Sequence, residues 1–142
     1  MKGFTLLEVL VSATIIVVLT SIGLVSYSSV NKKSRDVKRR GDLEQIRSAL
    51  EIYRSDNGAY PAAGAGSVTN AQNLASSLVS TYAPAIPDDP ATAGDYYYQA
   101  IATGGVYSSY CVCANLESIT SGSSSTCTVS LPASCDYGVK SP

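Results

Sequence analysis

The chain has 142 residues, a net charge of −1 and no histidine, so catalysis or metal ligation by imidazole is excluded. Its length suits one small domain plus an anchor, not two globular domains. Charge is uneven: residues 1–54 hold nine Lys/Arg against five Asp/Glu, while residues 56–142 hold Lys140 alone against six acids. The C-terminal part therefore lacks the basic surface that direct nucleic-acid binding needs.

Met1-Lys2-Gly3 is a short polar leader. From Gly3 to Asn31 the only charged residue is Glu8. That run exceeds the ~20 apolar residues that cross a bilayer. A carboxylate at membrane depth is expensive and is usually kept for a partner. No proline occurs before Pro61, so Phe4 to about Ser55 is predicted to form one helix. Residues 4–30 are apolar all round and form its anchoring half; residues 31–55 are amphipathic. Gly23 is its weak point, because Gly costs about 1 kcal/mol against Ala in a helix interior. Leu43, Ile46, Leu50 and Tyr53 recur at steps of three and four, which places them on one face for the head to cover. Asp56-Asn57-Gly58 stops the helix and Tyr60-Pro61 makes an extended exit. The cations Lys32, Lys33, Arg35, Lys38, Arg39 and Arg40 read as a solvated face near lipid headgroups. The alternative is pairing with Asp42, Glu44 or Glu51 of neighbouring copies.

Residues 56–142 form the head. Asn70 to Tyr82 is predicted as a short second helix, with Leu74 and Leu78 on one face and a cap at Thr69 or Asn70. Pro84, Pro87 and Pro90 stiffen the following turns. Tyr96–Ile101 and Val106–Leu116 have strand composition, with Gly104-Gly105 between them as a hairpin turn. Val129–Leu131 and Tyr137–Val139 are further short strand candidates, and Ser121–Ser125 a flexible loop.

Cys111, Cys113, Cys127 and Cys135 form an even set in a small Ser/Gly-rich head, a pattern that favours disulfides. Cys111 and Cys113 share a strand face and so face separate partners. The nested pairing, Cys113 with Cys127 and Cys111 with Cys135, is the expectation. A four-thiolate zinc site is the alternative, though the spacing lacks the usual paired C-x₂-C.

Gly3-Phe4-Thr5-Leu6-Leu7-Glu8 after a basic leader resembles the class III signal of the type IV filament superfamily, which holds type IV pilins and the pseudopilins of type II secretion. The segments Asp56-Asn57-Gly58-Ala59-Tyr60-Pro61 and Pro87-Asp88-Asp89-Pro90 are similar to landmarks of the major pseudopilin. The resemblance implies an α+β lollipop: a long N-terminal helix packed by its second half on a small antiparallel sheet. It implies that residues 1–3 are a leader, removed between Gly3 and Phe4 by an inner-membrane prepilin peptidase that then methylates Phe4. Glu8 would pair with the new α-amino group of a neighbouring copy. The resemblance further implies a helical homopolymer that serves as pseudopilus or pilus. Its partners would be an assembly platform with a cytoplasmic ATPase, minor pilins or pseudopilins, and the inner membrane before assembly. No catalytic constellation is visible, and an enzyme is not expected. Major pseudopilins hold calcium in a head loop, which makes Asp88, Asp89 and Asp95 weak calcium candidates; Asp-Pro turn chemistry is the plainer reading. The positive-inside rule would put the basic cluster in the cytoplasm, whereas the cysteines and the resemblance put the head outside it. An alternative function is an anchored extracytoplasmic binding module that never polymerises.

Overall fold

The computed structural model describes residues 3–91, 95–118, 127 and 135–142. One helix, α1 (Leu6–Asn57), runs unbroken through Gly23 for 52 residues, a length of about 78 Å. It ends at Gly58, whose φ of 74° is a left-handed cap, and the Gly58 N–H donates to the Arg54 carbonyl. Glycine takes that conformation without a Cβ penalty, so the predicted stop holds.

The head is built on a four-stranded antiparallel sheet in the order β1 (Thr69–Asn70), β2 (Tyr97–Thr103), β3 (Val106–Ala114), β4 (Tyr137–Lys140). Gly104 and Gly105 both have positive φ, 63° and 85°. That is the conformation a two-residue hairpin loop requires. A register shift between Ile101 and Ala102 leaves the hairpin tip out of step with its base.

Leu43, Ile46 and Leu50 are buried against Leu74, Leu78, Tyr98, Tyr110 and Val112, and Tyr53 packs at the edge of this core with its ring 5.2 Å from that of Tyr82. The predicted stripe of α1 is therefore the helix side of the core. Residues 110–114 of β3 are buried on both faces. Alternation puts Tyr110, Val112 and Ala114 toward the core, and Cys111 and Cys113 on the opposite face.

The predicted helix from Asn70 to Tyr82 is mostly not one. Thr69 and Asn70 pair with β2; a 3-10 turn covers Ala71–Leu74, and only α2 (Ala75–Leu78) is α-helical. Strand pairing claims the start, and the Gln72 amide is drawn onto the carbonyls of Ile86 and Pro87 and onto Asp88. At the far end Ser80 takes a φ of 76° and its N–H donates to the Ala83 carbonyl, closing a turn. Leu74 and Leu78 are buried together as expected, and Asn70 caps by accepting from the Gln72 N–H. The strand expected at Val129–Leu131 and the loop expected at Ser121–Ser125 lie outside the described residues.

Candidate functional site

The N-terminal end of α1 is organised by two side chains. Thr5 is the N-cap: its hydroxyl accepts from the Glu8 N–H at 3.3 Å. In return the Glu8 carboxylate accepts from the Thr5 N–H and the Thr5 hydroxyl, both at 2.9 Å. This reciprocal capping box satisfies orphan donors of the first turn. Its signature, Thr5-x-x-Glu8 ahead of an apolar run, stands in the sequence. Gly3 and Phe4 precede the cap, and Phe4 is 88% exposed. Beyond it the helix is long and apolar enough to cross a membrane by length and composition, and among the described residues its most apolar window is not covered by the rest of the chain. The hydroxyls of Ser12, Thr20 and Ser21 donate to carbonyls four residues back, and Thr14 donates to the Val11 carbonyl. In a bilayer these carbonyls would be the acceptors at hand.

Just above that half, the head clamps α1 through Arg39. Its Nε and Nη2 grip Asp89 at 2.7 and 2.9 Å, its Nη1 reaches Asp36 at 2.8 Å, and its Nη2 also reaches Glu117 at 2.8 Å. Arg39 is 3% exposed. Asp36 accepts from the backbone N–H groups of Glu117 and Ser118, both at 2.9 Å, and from the Ser118 hydroxyl. Arg35 forms a two-point contact with Glu117. The basic run is thus split, which corrects the reading of one solvated face. Lys32, Lys33, Lys38 and Arg40 are exposed, Arg35 is half-buried, and Arg39 lies inside the head–helix junction. Burial works against the charged forms of Asp36 and Asp89. Bonds from Ser118 and the 117–118 backbone outweigh it for Asp36, and bonds from Arg39 and the Ala91 N–H outweigh it for Asp89, so both sit below the ordinary carboxylate range. Hydrogen bonds from Arg35, and then from Arg39, bring Glu117 down to about 2.

The acids suggested for contacts with neighbours are also engaged within the chain. Asp42 accepts from the Tyr96 hydroxyl at 2.6 Å, and Glu51 accepts from the hydroxyls of Tyr60 and Tyr110 at 3.0 and 3.1 Å. Burial first, and then the adjacent carboxylate, push the Tyr96 and Tyr110 phenols up, which keeps them protonated donors. Glu44 faces Arg47 at 3.5 Å.

All four cysteines are in disulfides, so the zinc alternative falls. The pairing is Cys111–Cys127 and Cys113–Cys135, with Cα–Cα separations of 5.9 and 5.8 Å. This corrects the nested expectation. That expectation took the 127–135 segment as the antiparallel partner of β3. The partner is β4, which sets Tyr137 opposite Ala114, and the Asp136 N–H donates to the Ala114 carbonyl. Cys135 therefore arrives beside Cys113, and Cys127 lies over Gly138. A Cβ on Gly138 would stand 2.6 Å from the Cys127 Sγ and 3.5 Å from the Cys113 Cβ. Gly138→Ala is expected to destabilise the head by about 1–3 kcal/mol through overpacking, lowering Tm by several degrees. Thermal melts of the two exported heads check this, and an unchanged Tm refutes it.

The calcium candidates do not form a ligand set. Asp89 is bound by Arg39 through both oxygens, and Asp88 accepts from Gln72 at 2.6 Å. Asp88, Asp89 and Asp95 border one cleft with Asn70 and Gln72. Among the described residues, no group of three or more Cys, Asp or Glu is placed to hold a metal ion.

A bare apolar half-helix led by Gly-Phe-Thr-Leu-Leu-Glu, continued by an amphipathic half clamped to a small antiparallel sheet, defines a pilin-like subunit. Residues 1–24 match the prokaryotic N-terminal methylation motif, and residues 27–127 match type II secretion system protein G. The chain belongs to the type II secretion system protein G family. It is similar to the type II secretion system core protein G of Pectobacterium carotovorum, with 35% identity over 65 residues, 46% of this chain and 42% of that protein. The core protein G of Pseudomonas aeruginosa is 32% identical over 65 residues, 46% of each chain. That of Klebsiella pneumoniae is 37% identical over 60 residues, 42% of this chain and 43% of that protein. The matches thus span less than half the length of these curated relatives. No solved structure matches the chain.

Proposed function

We propose that this chain is a structural subunit of a type II secretion pseudopilus, polymerising from the inner membrane with its head outside the cytoplasm. The observation that carries the reading is the uncovered apolar half of α1, which bears one acid at a fixed distance from a Gly–Phe junction. Residues 4–30 hold the subunit in the bilayer until copies of the same helix replace lipid around it. A prepilin peptidase cuts between Gly3 and Phe4 and methylates Phe4; Gly3 lets the extended backbone lie close to that enzyme. Both residues precede the capped turn and are exposed. Glu8 then exchanges part of its intrachain cap for the α-amino group of a neighbour's Phe4. An assembly platform, its ATPase and minor pseudopilins drive and prime the polymer, so the subunit itself needs no active site. The disulfides fit a head folded outside the cytoplasm.

The test is mass spectrometry of the mature N-terminus from the native host, joined to imaging of sheared material. The expected result is an N-methylated Phe4 in protein recovered as filaments, and Gly3→Leu should accumulate uncut in the membrane. A mature start elsewhere, or protein that never sediments as filaments, defeats the reading.

A further inference from the structure

A ring of unpaired positive charge circles α1 at one level. Residues 31–40 hold six cations. Glu117 takes Arg35, and Asp36 and Asp89 take Arg39, into the head–helix junction. Arg40 lies over the Tyr137 ring, 5.2 Å from its centre. Lys32, Lys33 and Lys38 are exposed and have no ion-pair partner among the described residues. A helix turns about 100° per residue, so Lys33 and Lys38 stand about 100° and 240° round the axis from Lys32. No half of the helix surface holds all three. The ring also lies where the uncharged run ends. Residues 9–31 carry no charge and measure about 34 Å, just over the ~30 Å of a hydrocarbon core. With that run in a bilayer, Lys32 and Lys33 emerge at the headgroups. Lys38 stands about 9 Å higher. Helical side chains lean toward the N-terminus, here toward the bilayer, and the long lysine stem carries the ammonium back to the same layer.

We propose that Lys32, Lys33 and Lys38 gather anionic phospholipid headgroups around the anchor, so that the subunit awaiting assembly stands in its own patch of acidic lipid. The proposal rests on the membrane-anchored reading above and adds a lipid class to it. Each ammonium donates to phosphate oxygens. A zwitterionic headgroup brings its own cation to that phosphate, whereas an anionic one does not, so the lysines select net negative charge. The arrangement selects lipid over a macromolecule. A protein surface or a nucleic-acid duplex meets a helix from one side and leaves at least one of the three cations unmet; lipids surround the helix. The rest of the chain confines the attraction to this ring. Residues 56–142 hold six acids against Lys140 alone, so an acidic surface repels the head. A lysine near an anionic lipid surface is worth about a fivefold preference. A subunit that leaves the bilayer gives up these contacts, so acidic lipid steadies the waiting pool.

Energy transfer in vesicles tests this. The full chain carries a donor dye on Val37→Cys, at the level of the ring, and all four native cysteines are already paired. It is reconstituted into phosphatidylcholine containing a minor share of phosphatidylglycerol. The acceptor sits on the acyl chain of one lipid or of the other, at equal density. At low salt the lipid around the dye is expected to be about fivefold richer in phosphatidylglycerol than the bulk. The preference is expected to vanish in 1 M salt, where charges are screened within about 3 Å. It is also expected to vanish in the triple variant Lys32→Gln, Lys33→Gln, Lys38→Gln, with the melting of the head unchanged. Equal transfer to both lipids at low salt, or a preference that survives the triple variant, overturns the proposal. So does a DNA duplex that binds the detergent-held chain through these lysines while the lipids show no preference. Resistance of the vesicle-bound chain to an alkaline wash separates the two readings. A chain that washes off has no anchor, and both readings fail; an inserted chain without lipid preference defeats this one alone.

Discussion

Glu8→Ala is expected to leave the chain membrane-inserted and trimmed at Gly3, yet to cut filament yield by about a hundredfold or more. In the proposed polymer the Glu8 carboxylate and the partner's amine would sit in an apolar bundle. Removing one member of a buried pair leaves the other uncompensated, at about 3–5 kcal/mol. Each 1.4 kcal/mol is a factor of ten in a binding constant. The capping box complicates this, because Glu8 also accepts from the Thr5 N–H and hydroxyl. Glu8→Gln separates the two roles, since glutamine fills the same position of a capping box without a charge. If charge pairing carries assembly, Gln behaves nearly as Ala does; if the cap carries it, Gln restores filaments. Quantifying sheared filaments against the membrane-bound pool reads both. Wild-type yield from Glu8→Ala would remove the pairing from the account.

Much of this architecture is written in local pattern. The helix and its cap follow from the absence of proline and from Gly58, and the head-facing stripe from Leu43, Ile46, Leu50 and Tyr53 at helical spacing. The hairpin follows from Gly104-Gly105, which alone between those strands tolerates two consecutive positive φ angles. The N-terminal methylation motif is legible because its signal residues, Gly3 to Glu8, lie within six positions. What was not legible depends on partners distant in sequence. Arg39 looks like its neighbours Lys38 and Arg40 until the fold brings Asp89 to it from 50 residues away. The cysteine pairing turned on which segment lies beside β3, a choice that spacing does not determine. The short second helix failed for a similar reason: Thr69 and Asn70 were claimed by β2, a non-local contact that outweighs propensity.

Arg39→Ala is expected to destabilise the head by about 3–5 kcal/mol, a large share of the 5–15 kcal/mol typical of a whole domain. The loss has a definite source. Asp36 and Asp89 have side chains 5% and 1% exposed, and both would remain ionised with no cation between them. Arg39→Lys is expected to recover only part, because a single ammonium cannot reproduce the fork that grips Asp89 at two points while reaching Asp36 and Glu117. The clamp also makes stability pH-dependent. Asp36, Asp89 and Glu117 all have folded values below their ordinary 3.8, 3.8 and 4.5. The unfolded chain therefore binds more protons in that range, and their contribution is present above about pH 4.5 and lost as pH falls toward about 2. Tm of the wild-type head is expected to hold steady from pH 7 to 5 and then to drop through that window. Arg39→Ala should start lower and show a weaker dependence, since the pairing that depressed Asp89 and helped depress Asp36 and Glu117 is gone. Parallel acid limbs for the two proteins would place the source of the pH dependence elsewhere than the clamp.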